Sequence, residues 1–372
     1  MRALYNIFHL GIKELTSLRR DPMLAAFIVF AFTVSIYTAA AATPETVHKA
    51  PIAIIDQDRS QLSGRIVSAL YPPSFLPAAV DGPKAAELGL DAGRYTFALH
   101  IPAGFQRDVL AGHSPDIQLI VDATRMSQSF AGSGQIQAIV NAEVQEFVAD
   151  FRTDAALPVE LALRARFNPE LNLSWFGAMA QLINQITMLA IILTGAALLR
   201  EREHGTIEHL LVMPVTPLEI MSAKVWSMGL VVLVASAFSL FVVVRGWLAV
   251  PIEGSSALFL TGAALHLFAT TSMGIMLATF SRSMPQFGLL LILVILPIQI
   301  LSGGMTPRES MPDVIHTLML AAPNTHFVIL GQAILYRGAG LSIVWPQFLA
   351  IAAIGTTFFA LALARFRRTI SG

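Results

Sequence analysis

The sequence predicts a polytopic α-helical membrane protein with six transmembrane helices and an α/β domain inserted between the first and the second helix. Three observations lead to this fold class. Of the 372 residues, 55% are hydrophobic and 13% are charged, about half the charged fraction of a soluble domain. Six apolar stretches are long enough to cross a bilayer core of about 30 Å. Between the first two stretches, residues 44–170 have the composition of a soluble domain.

The N-terminal residues 1–20 predict a cytoplasmic amphipathic helix ahead of the first span, which we place at residues 21–43. On this helix Lys13 and Glu14 should face away from the membrane, opposite an apolar face made by Leu4, Ile7, Phe8, Leu15 and Leu18. Asp21 precedes Pro22, an order typical of a helix start. The alanines that end the span also fit a signal-peptidase site, but the apolar run is longer than a usual signal core. We therefore expect the span to be retained.

Residues 44–170 alternate between strand and helix patterns over about 125 residues, which is enough to bury a core. Strands are predicted near residues 50–55, 95–101 and 117–121, and the second should be half-buried because its apolar residues alternate. Helical spacing is present at residues 62–70, 105–110 and 136–151. We assign turns rather than a catalytic or metal-binding site to the polar candidates Asp56, Asp58, His100, His113 and Asp122.

The remaining spans are predicted at residues 171–199, 218–245, 254–281, 284–303 and 339–364. The third should start at a capping box formed by Thr216 and Glu219 around Pro217. Residues 304–337 are divided by Pro312 and Pro323 into pieces too short to cross a membrane. We expect short, partly re-entrant helices there, and a short tail at residues 365–372.

The distribution of basic residues predicts the orientation, because short cytoplasmic loops are enriched in lysine and arginine. One side of the predicted arrangement has three basic residues in its short segments: Arg245, Arg308 and Arg337. The other side has many more: Arg2, Lys13, Arg19, Arg20, Arg200, Arg202, Lys224, Arg282, Arg365, Arg367 and Arg368. Both termini and the tail are therefore predicted to be cytoplasmic, and residues 44–170 to lie outside.

The segment at residues 200–217, between the second and third spans, is the most informative part of the sequence. Its run EREHGTIEHLLVMPVTPLEI breaks the second helix at Gly205 and ends a short new helix at Pro214. This run resembles the signature of type-2 ABC transporter permeases. The run SGGMTPRESMP after the fifth span and the segments APIAIIDQDRSQLS, GRYTFALHIPAGFQRDVLAG and DIQLIVDATRMSQSF fit the same family. The resemblance covers essentially the whole chain.

The resemblance implies a permease subunit of an ATP-driven exporter in the bacterial inner (cytoplasmic) membrane, with a periplasmic α/β domain. It implies a dimer of permeases, identical or paralogous, and in some systems a periplasmic adaptor and an outer-membrane channel. The cargo would be a drug-like or lipophilic compound. The residues expected to couple the permease to the ATP-binding subunit are Glu201, Glu203, Gly205, Thr206, Glu208, Leu211 and Pro214.

No cofactor is expected on this chain itself. It contains no GxxxxGK[ST] phosphate loop, so ATP and Mg²⁺ should bind to a partner subunit, and the chain is not expected to be an enzyme. The absence of cysteine excludes disulfides and cysteine metal sites. With 24 basic and 24 acidic residues there is no net charge to attract nucleic acid.

Two further groups of residues are candidates for the cargo route. Gln181, Asn184, Gln185 and Met188 share one face of the second span by helical spacing. They either bond to a neighbouring helix or line the cargo path at the dimer interface. An outer gate is the candidate role of Gly303, Gly304 and Pro307.

Two alternative functions were weighed against the exporter. A proton- or ion-driven secondary transporter usually has ionisable groups within its spans. In the six uncharged apolar runs, of which the third is Val225–Val244, His266 alone is ionisable. A membrane sensor with a periplasmic ligand domain needs an output module, and the inner loops are too short to contain one.

Overall fold

The chain folds into two compact units, one formed by Met1–Thr43 with Arg166–Gly372 and the other by Pro44–Ala165. The computed structural model describes residues 2–41, 50–122, 126–151, 173–203, 215–304, 308 and 311–371. Each unit has a hydrophobic core of its own.

The chain starts with helix α1 (Arg2–Arg19), and the first span follows as α2 (Pro22–Phe32) and α3 (Val34–Ala41). The predicted cap of this span is confirmed, because the Asp21 carboxylate accepts a hydrogen bond from the Leu24 backbone N–H at 3.0 Å. The two helices are separated at Thr33, whose backbone leaves the helical region.

The unit Pro44–Ala165 contains a four-stranded sheet with helices packed around it. The sheet has the order β2-β1-β3-β4, in which β1 is parallel to β2 and β3, and β4 is antiparallel to β3. The strands are β1 (Ile52–Asp56), β2 (Ala79–Val80), β3 (Phe97–Ile101) and β4 (Gln118–Val121). The helices are α4 (Gln61–Ala69), α5 (Pro83–Asp91), α6 (Phe105–Leu110) and α7 (Met126–Phe151). Strand β2 and helix α5 were not predicted from the sequence.

Strand β3 is buried on both faces, so the prediction of a half-buried strand is wrong. Phe97 and Leu99 belong to the larger core, which α4, α6 and α7 cover. On the other face Ala98 packs with Ala53 of β1 and Ala86 of α5. The small side chains of Ala53 and Ala98 let α5 approach the sheet closely through Ala86. Their small side chains carry little hydrophobic signal, which explains why the alternation looked one-sided.

Helix α6 obtains its N-terminal cap from a distant residue. It begins after Gly104, which has a φ of 80° and no side chain with which to cap the helix. Asp58, in the turn after β1, instead accepts hydrogen bonds from the N–H groups of Gly104 at 2.8 Å and Gln106 at 3.0 Å. Partial burial opposes ionisation, but bonds from Ser60, Gln106 and Gly104 outweigh it and lower the pKa of Asp58. Its predicted turn role therefore extends to joining β1 to α6.

The membrane unit continues from α8 (Leu173–Glu203) to α9 (Pro217–Phe238), which is extended by a π-helical stretch (Ser239–Trp247). The remaining helices are α10 (Ser256–Phe280), α11 (Met284–Leu301), α12 (Asp313–Met319), α13 (Pro323–Leu335) and α14 (Leu341–Ser371). Six helices are long and apolar enough to cross a membrane: Pro22–Ala41, Trp175–Glu203, Pro217–Trp247, Ser256–Phe280, Met284–Leu301 and Leu341–Arg368. Helices α12 and α13 meet at an angle of 86°.

The third span starts at the predicted capping box. Thr216 accepts from the Glu219 N–H at 3.3 Å, and the Glu219 carboxylate accepts from the Thr216 N–H at 2.9 Å. Because the helix starts at Pro217, Lys224 lies in its second turn and is 1% exposed. Lys224, which was counted with the basic residues of the predicted cytoplasmic side, is thus a buried charge inside the third span.

The Asp58 cap gives a test of the Pro44–Ala165 unit. We expect Asp58→Ala to lower the stability of this unit by about 0.5–2 kcal/mol, the usual effect of losing a helix cap. A carboxyl with a lowered pKa stabilises the fold above its unfolded pKa of about 3.9 and loses this effect as the pH falls through the folded value. Hydrogen exchange of the α6 amides at neutral pH measures the change. Equal protection in wild type and variant would show that Asp58 is not the cap.

Candidate functional site

The second span ends in four consecutive charged residues that contact four different parts of the membrane unit. This span is the most enclosed of the six, with 83% of its most apolar window buried, against 11% for the fifth and 17% for the sixth. Successive residues of an α-helix point about 100° apart, so four in a row reach all sides of it. We call Arg200, Glu201, Arg202 and Glu203 the second-span junction.

Three members of the junction bind helix termini. The Arg200 guanidinium lies 3.0 Å from the carboxylate of Asp21, the cap of the first span. Arg202 donates to the backbone carbonyl of Ser281 at the end of the fourth span, at 3.1 Å. Glu203 accepts from the N–H of Met284 at the start of the fifth, at 2.8 Å. Arg202 is a cation at a helix C-terminus and Glu203 an anion at a helix N-terminus, so both match the helix dipole and stabilise the ends they meet. Arg200 instead pairs with the carboxylate that caps the first span.

The fourth member, Glu201, belongs to a cluster of two lysines and two glutamates. One carboxylate oxygen lies 2.6 Å from the Lys13 ammonium of α1, and the other lies 2.7 Å from the Lys224 ammonium of the third span. Lys224 also contacts Glu14 of α1 at 2.8 Å. Glu14, Glu201 and Lys224 are buried, whereas the Lys13 side chain is 49% exposed. Two charges of each sign balance across the cluster. We call these four residues the lysine–glutamate cluster.

Helix α1 packs against the third span through a face that includes Glu14. This overturns the prediction that Glu14 lies opposite the apolar face of α1 and points away from the membrane. Gly11 leaves room for the Trp226 ring, and the Trp226 indole donates to the Ile7 carbonyl at 3.1 Å. The buried face of α1 therefore contains Gly11, Glu14 and Leu18. The predicted apolar face is divided, because other apolar residues of α1 are exposed: Leu4, Tyr5, Phe8 and Ile12.

The cluster shifts the pKa values of both α1 members. Burial raises the pKa of the Glu14 carboxyl; Lys224 counteracts this shift and Glu201 reinforces it. Burial works against the charged form of Lys13, but the contact with Glu201 outweighs it, and the pKa of Lys13 is raised.

The contacts of the junction also show which helix ends share a side of the unit. The starts of the first and fifth spans and the ends of the second and fourth are joined by the distances given above. At the end of the sixth span, the Arg365 guanidinium lies 3.6 Å from the centre of the Phe280 ring of the fourth. Spans that alternate in direction produce this arrangement. The start of the first span and the end of the sixth then lie on the same side of the membrane unit.

Two of the predicted coupling residues, Glu201 and Glu203, lie in the junction, and each has a partner within the chain. Glu201 is buried and Glu203 is exposed, so of the two only the Glu203 side chain reaches the surface. The other predicted coupling residues lie outside the described residues: Gly205, Thr206, Glu208, Leu211 and Pro214. Their coupling role stays a prediction.

The predicted cargo-path residues lie against the first span. The amides of Gln181 and Gln185 both donate to the Ser35 hydroxyl, at 2.9 and 2.8 Å. Asn184 is 8% exposed, and Met188 packs partly buried in the core. The two glutamine bonds favour the alternative in which this face holds two helices together. A role in the cargo path stays a prediction.

The predicted outer gate is described in part. Gly303 has a φ of +96°, a conformation that favours glycine, and its carbonyl accepts from the Gln332 amide of α13 at 3.5 Å. Gly304 is half-buried, and Pro307 lies outside the described residues.

A set of buried polar contacts among Thr187, His266 and Asn324 was not predicted from the sequence. Thr187 of the second span lies 2.9 Å from His266 Nε2 of the fourth and donates to the Asn324 side-chain oxygen of α13 at 2.7 Å. The His266 ring stacks on Phe327 at 4.2 Å. The signal was available, because Thr187 follows Asn184 by three residues and lengthens the polar face of the span.

The Pro44–Ala165 unit has a cavity of about 750 Å³ between β3, α6 and α7. Its walls are apolar near Phe105 and Ile136, and His113, Asp116 and Asn141 lie at its polar part. Among the residues that the structure describes, no three histidine, aspartate or glutamate side chains are grouped to hold a metal ion.

Comparison with known proteins identifies the family. The sequence model described as "ABC-2 family transporter protein" matches residues 23–364. The chain belongs to the ABC-2 transporter family. It is 62% identical over 370 residues to the inner membrane transport permease YhhJ of Escherichia coli K12, covering 100% of this chain and 99% of the relative.

Two more distant relatives from Escherichia coli K12 are the probable multidrug ABC transporter permeases YbhR and YbhS. The first is 26% identical and covers 96% of this chain and 97% of its own. The second is 24% identical and covers 87% of this chain and 86% of its own. The family and the six apolar helices show a multi-pass membrane transporter, and ABC-2 permeases work with ATP-binding subunits, generally as dimers.

The balance of charge in the lysine–glutamate cluster can be tested in this ABC-2 permease. Lys224→Met leaves two buried carboxylates with Lys13 alone, and we expect a loss of about 3–5 kcal/mol. Glu14→Gln combined with Lys224→Met leaves the neutral Lys13–Glu201 pair and should recover most of it. Thermal unfolding of the purified permease measures both. Arg65→Met is the control from the other unit, where it removes the ion pairs of Arg65 with Glu143 and Glu146, each at 3.0 Å and partly exposed. A double variant as unstable as the single one would contradict the pairing.

Proposed function

We propose that the chain is the membrane-spanning permease subunit of an ATP-driven exporter, which moves a drug-like or lipophilic compound out of the cytoplasm or the inner membrane. The observation that carries this proposal is the family match over residues 23–364, which covers all six apolar helices except Pro22 and residues 365–368. The names of the relatives support it, since one is an inner membrane transport permease and two are probable multidrug permeases.

The energy for transport comes from a separate subunit in this proposal. Two permeases, identical or paralogous, pair in the membrane and each receives an ATP-binding subunit at residues 204–214, directly after the second-span junction. ATP and Mg²⁺ belong to that subunit. A periplasmic adaptor and an outer-membrane channel are further proposed partners, because the family includes systems that use them.

The permease is placed in the bacterial inner membrane with both termini in the cytoplasm and the Pro44–Ala165 unit in the periplasm. The distribution of basic residues supports this orientation. The junction would then lie on the cytoplasmic side, where the ATP-binding subunit is.

The exposed residues of α1 fit the same orientation. Leu4, Phe8 and Ile12 are apolar and exposed, whereas the adjoining face with Gly11, Glu14 and Leu18 packs on the third span. A helix with one apolar face on protein and another exposed is suited to the boundary between the unit and the inner leaflet.

The orientation is tested with reporter fusions. Fusions after Asn141 and after Arg337 should be active only in the periplasm, and fusions after His209, Arg282 and Arg368 only in the cytoplasm. Paired reporters of opposite specificity at each position provide the control. A cytoplasmic signal from the fusion after Asn141 would overturn the whole arrangement.

Transport and coupling are tested in proteoliposomes that contain the permease and the ATP-binding subunit purified with it. We expect ATP-dependent movement of ethidium, a lipophilic cation, and none driven by a proton gradient alone. Glu203→Gln keeps an oxygen for the Met284 N–H but removes the charge. Together with Glu208→Ala it should reduce transport by about tenfold while the permease stays folded, since two charge-assisted contacts contribute about 1–3 kcal/mol each.

Gly205→Val provides an independent variant at the predicted helix break, and Arg65→Met is the matched control. Normal ATPase binding and normal transport in both coupling variants would show that residues 204–214 are not the docking segment. Transport that follows the proton gradient without ATP would replace the exporter with a secondary transporter.

A further inference from the structure

We infer that a groove between the ends of the fourth and sixth spans binds an anionic phospholipid, with Arg365 and Arg368 as the groups that hold its phosphate. The groove has a volume of about 500 Å³. Its walls are formed by Met276 and Phe280 of the fourth span and by Leu361, Ala364, Arg365 and Arg368 of the sixth. These residues belong neither to the predicted cargo path nor to the predicted coupling segment. The inference therefore goes beyond the proposed function and does not depend on it.

The groove is apolar at one end and cationic at the other, in the order that a phospholipid requires. On the sixth span its residues follow each other by i, i+3, i+4 and i+7 spacing, so they form one stripe along the helix. Arg368 lies at the end of this span, and Leu361 lies about 10 Å farther into it. Met276 and Phe280 continue the apolar wall on the fourth span. A phosphate at the arginines thus places the acyl chains along apolar side chains.

Close packing between the two helices stops short of the groove. At Gly355 the sixth span approaches the fourth so closely that an added Cβ would lie 2.9 Å from the Phe268 ring. One turn later the rings of Phe268 and Phe359 are 5.5 Å apart. In the groove itself, Phe280 and Leu361 are 49% and 53% exposed. Apolar walls that the protein leaves exposed at this depth are suited to contact with lipid.

Arg365 is held in place before any ligand arrives. Its guanidinium carbon lies 3.6 Å from the centre of the Phe280 ring, a cation–π contact. The five N–H donors of a guanidinium lie in its plane, and their fork matches two oxygens of a phosphate. Arg368 is exposed on the same face one turn later. A phosphate that meets a fixed arginine loses less binding free energy to side-chain ordering.

The charge of the surrounding helices favours a lipid with a net negative charge. Residues 256–304 and 341–371 contain Arg282, Arg365, Arg367 and Arg368 but no aspartate or glutamate. From the second span, Glu203 is directed to the backbone N–H of Met284. A zwitterionic headgroup would bring its own cation to this positive site, whereas phosphatidylglycerol brings only the anion. The groove is therefore assigned to an anionic phospholipid.

The first experiment counts bound lipids on the purified full-length permease by native mass spectrometry. The probes are phosphatidylglycerol and phosphatidylcholine with identical acyl chains, added to delipidated protein. We expect one phosphatidylglycerol to be retained for each chain, and phosphatidylcholine to bind more weakly. Inorganic phosphate at the same concentration should not compete, because it lacks the chains that meet the apolar walls.

A charge-matched pair of variants separates a built site from general attraction to basic residues. In Arg365→Gln/Arg368→Gln we expect the affinity for phosphatidylglycerol to fall by about fivefold for each arginine, the usual effect of one basic residue at an anionic membrane surface. The control is Arg282→Gln/Arg367→Gln, which removes two exposed arginines that do not line the groove. It should bind phosphatidylglycerol as wild type does.

Ala364→Trp tests the apolar part of the groove with both arginines kept. The indole should fill the space between Leu361 and Phe280 and exclude the lipid, and tryptophan is well tolerated at the membrane boundary. Thermal unfolding provides a second readout that also checks folding. Phosphatidylglycerol should raise the Tm of wild type and of the control pair, but not of the two groove variants.

Each contrary result overturns the inference. Equal losses in the two arginine pairs would show general electrostatic attraction without a site. Competition by inorganic phosphate would assign the arginines to a free anion, and equal retention of phosphatidylcholine would remove the selectivity for charge. A folded Ala364→Trp that keeps the lipid would place it outside the groove. If this variant instead separates a dimer, the groove belongs to a second copy of the chain.

Discussion

The membrane unit depends on one constraint, which is that a charge buried at the end of an enclosed helix must find a partner inside the protein. The second span is mostly buried, and of the four charges at its end Glu201 is itself buried, whereas Arg202 and Glu203 are exposed. Each of the four meets a different partner: the cap of the first span, the lysines of α1 and the third span, the end of the fourth, and the start of the fifth. One turn of helix thus fixes the relative positions of most of the bundle at a single level.

The same constraint explains why α1 packs where it does. Lys224 lies in the second turn of the third span, in a site that water does not reach. Its ammonium group therefore needs partners from the protein, and Glu201 is one of them. Helix α1 supplies Glu14 as a second carboxylate and Lys13 to balance it. Gly11 makes the approach possible, since any side chain there would collide with Trp226. Charge balance and close packing therefore select the same face of α1.

Patterns based on apolar length and helix capping predicted the spans and their starts, since both are local properties. Asp21, Thr216 and Glu219 make the caps that the sequence indicated. The buried face of α1 was not predictable from its own sequence, because hydrophobic periodicity assigns Glu14 to water until the position of Lys224 is known. For the same reason Ala53, Ala86 and Ala98 gave no sign that α5 covers the second face of the sheet. Pairs distant in sequence, such as Thr187 with His266, require the fold before they can be recognised.

The second span is held in different ways along its length, and this has a consequence for how it can move. At its charged end it is fixed by ion pairs and helix-end contacts, whereas further along Gln181, Gln185 and Thr187 hold it through neutral hydrogen bonds to Ser35, His266 and Asn324. Neutral bonds to hydroxyl and amide groups can exchange partners at lower cost than buried ion pairs can separate. A push on the charged end should therefore carry that end as one body with α1 and the third span. The resulting rearrangement should take place at the contacts of Gln181, Gln185 and Thr187. Gln181 and Gln185 belong to the predicted cargo path, and Thr187 extends the same polar face.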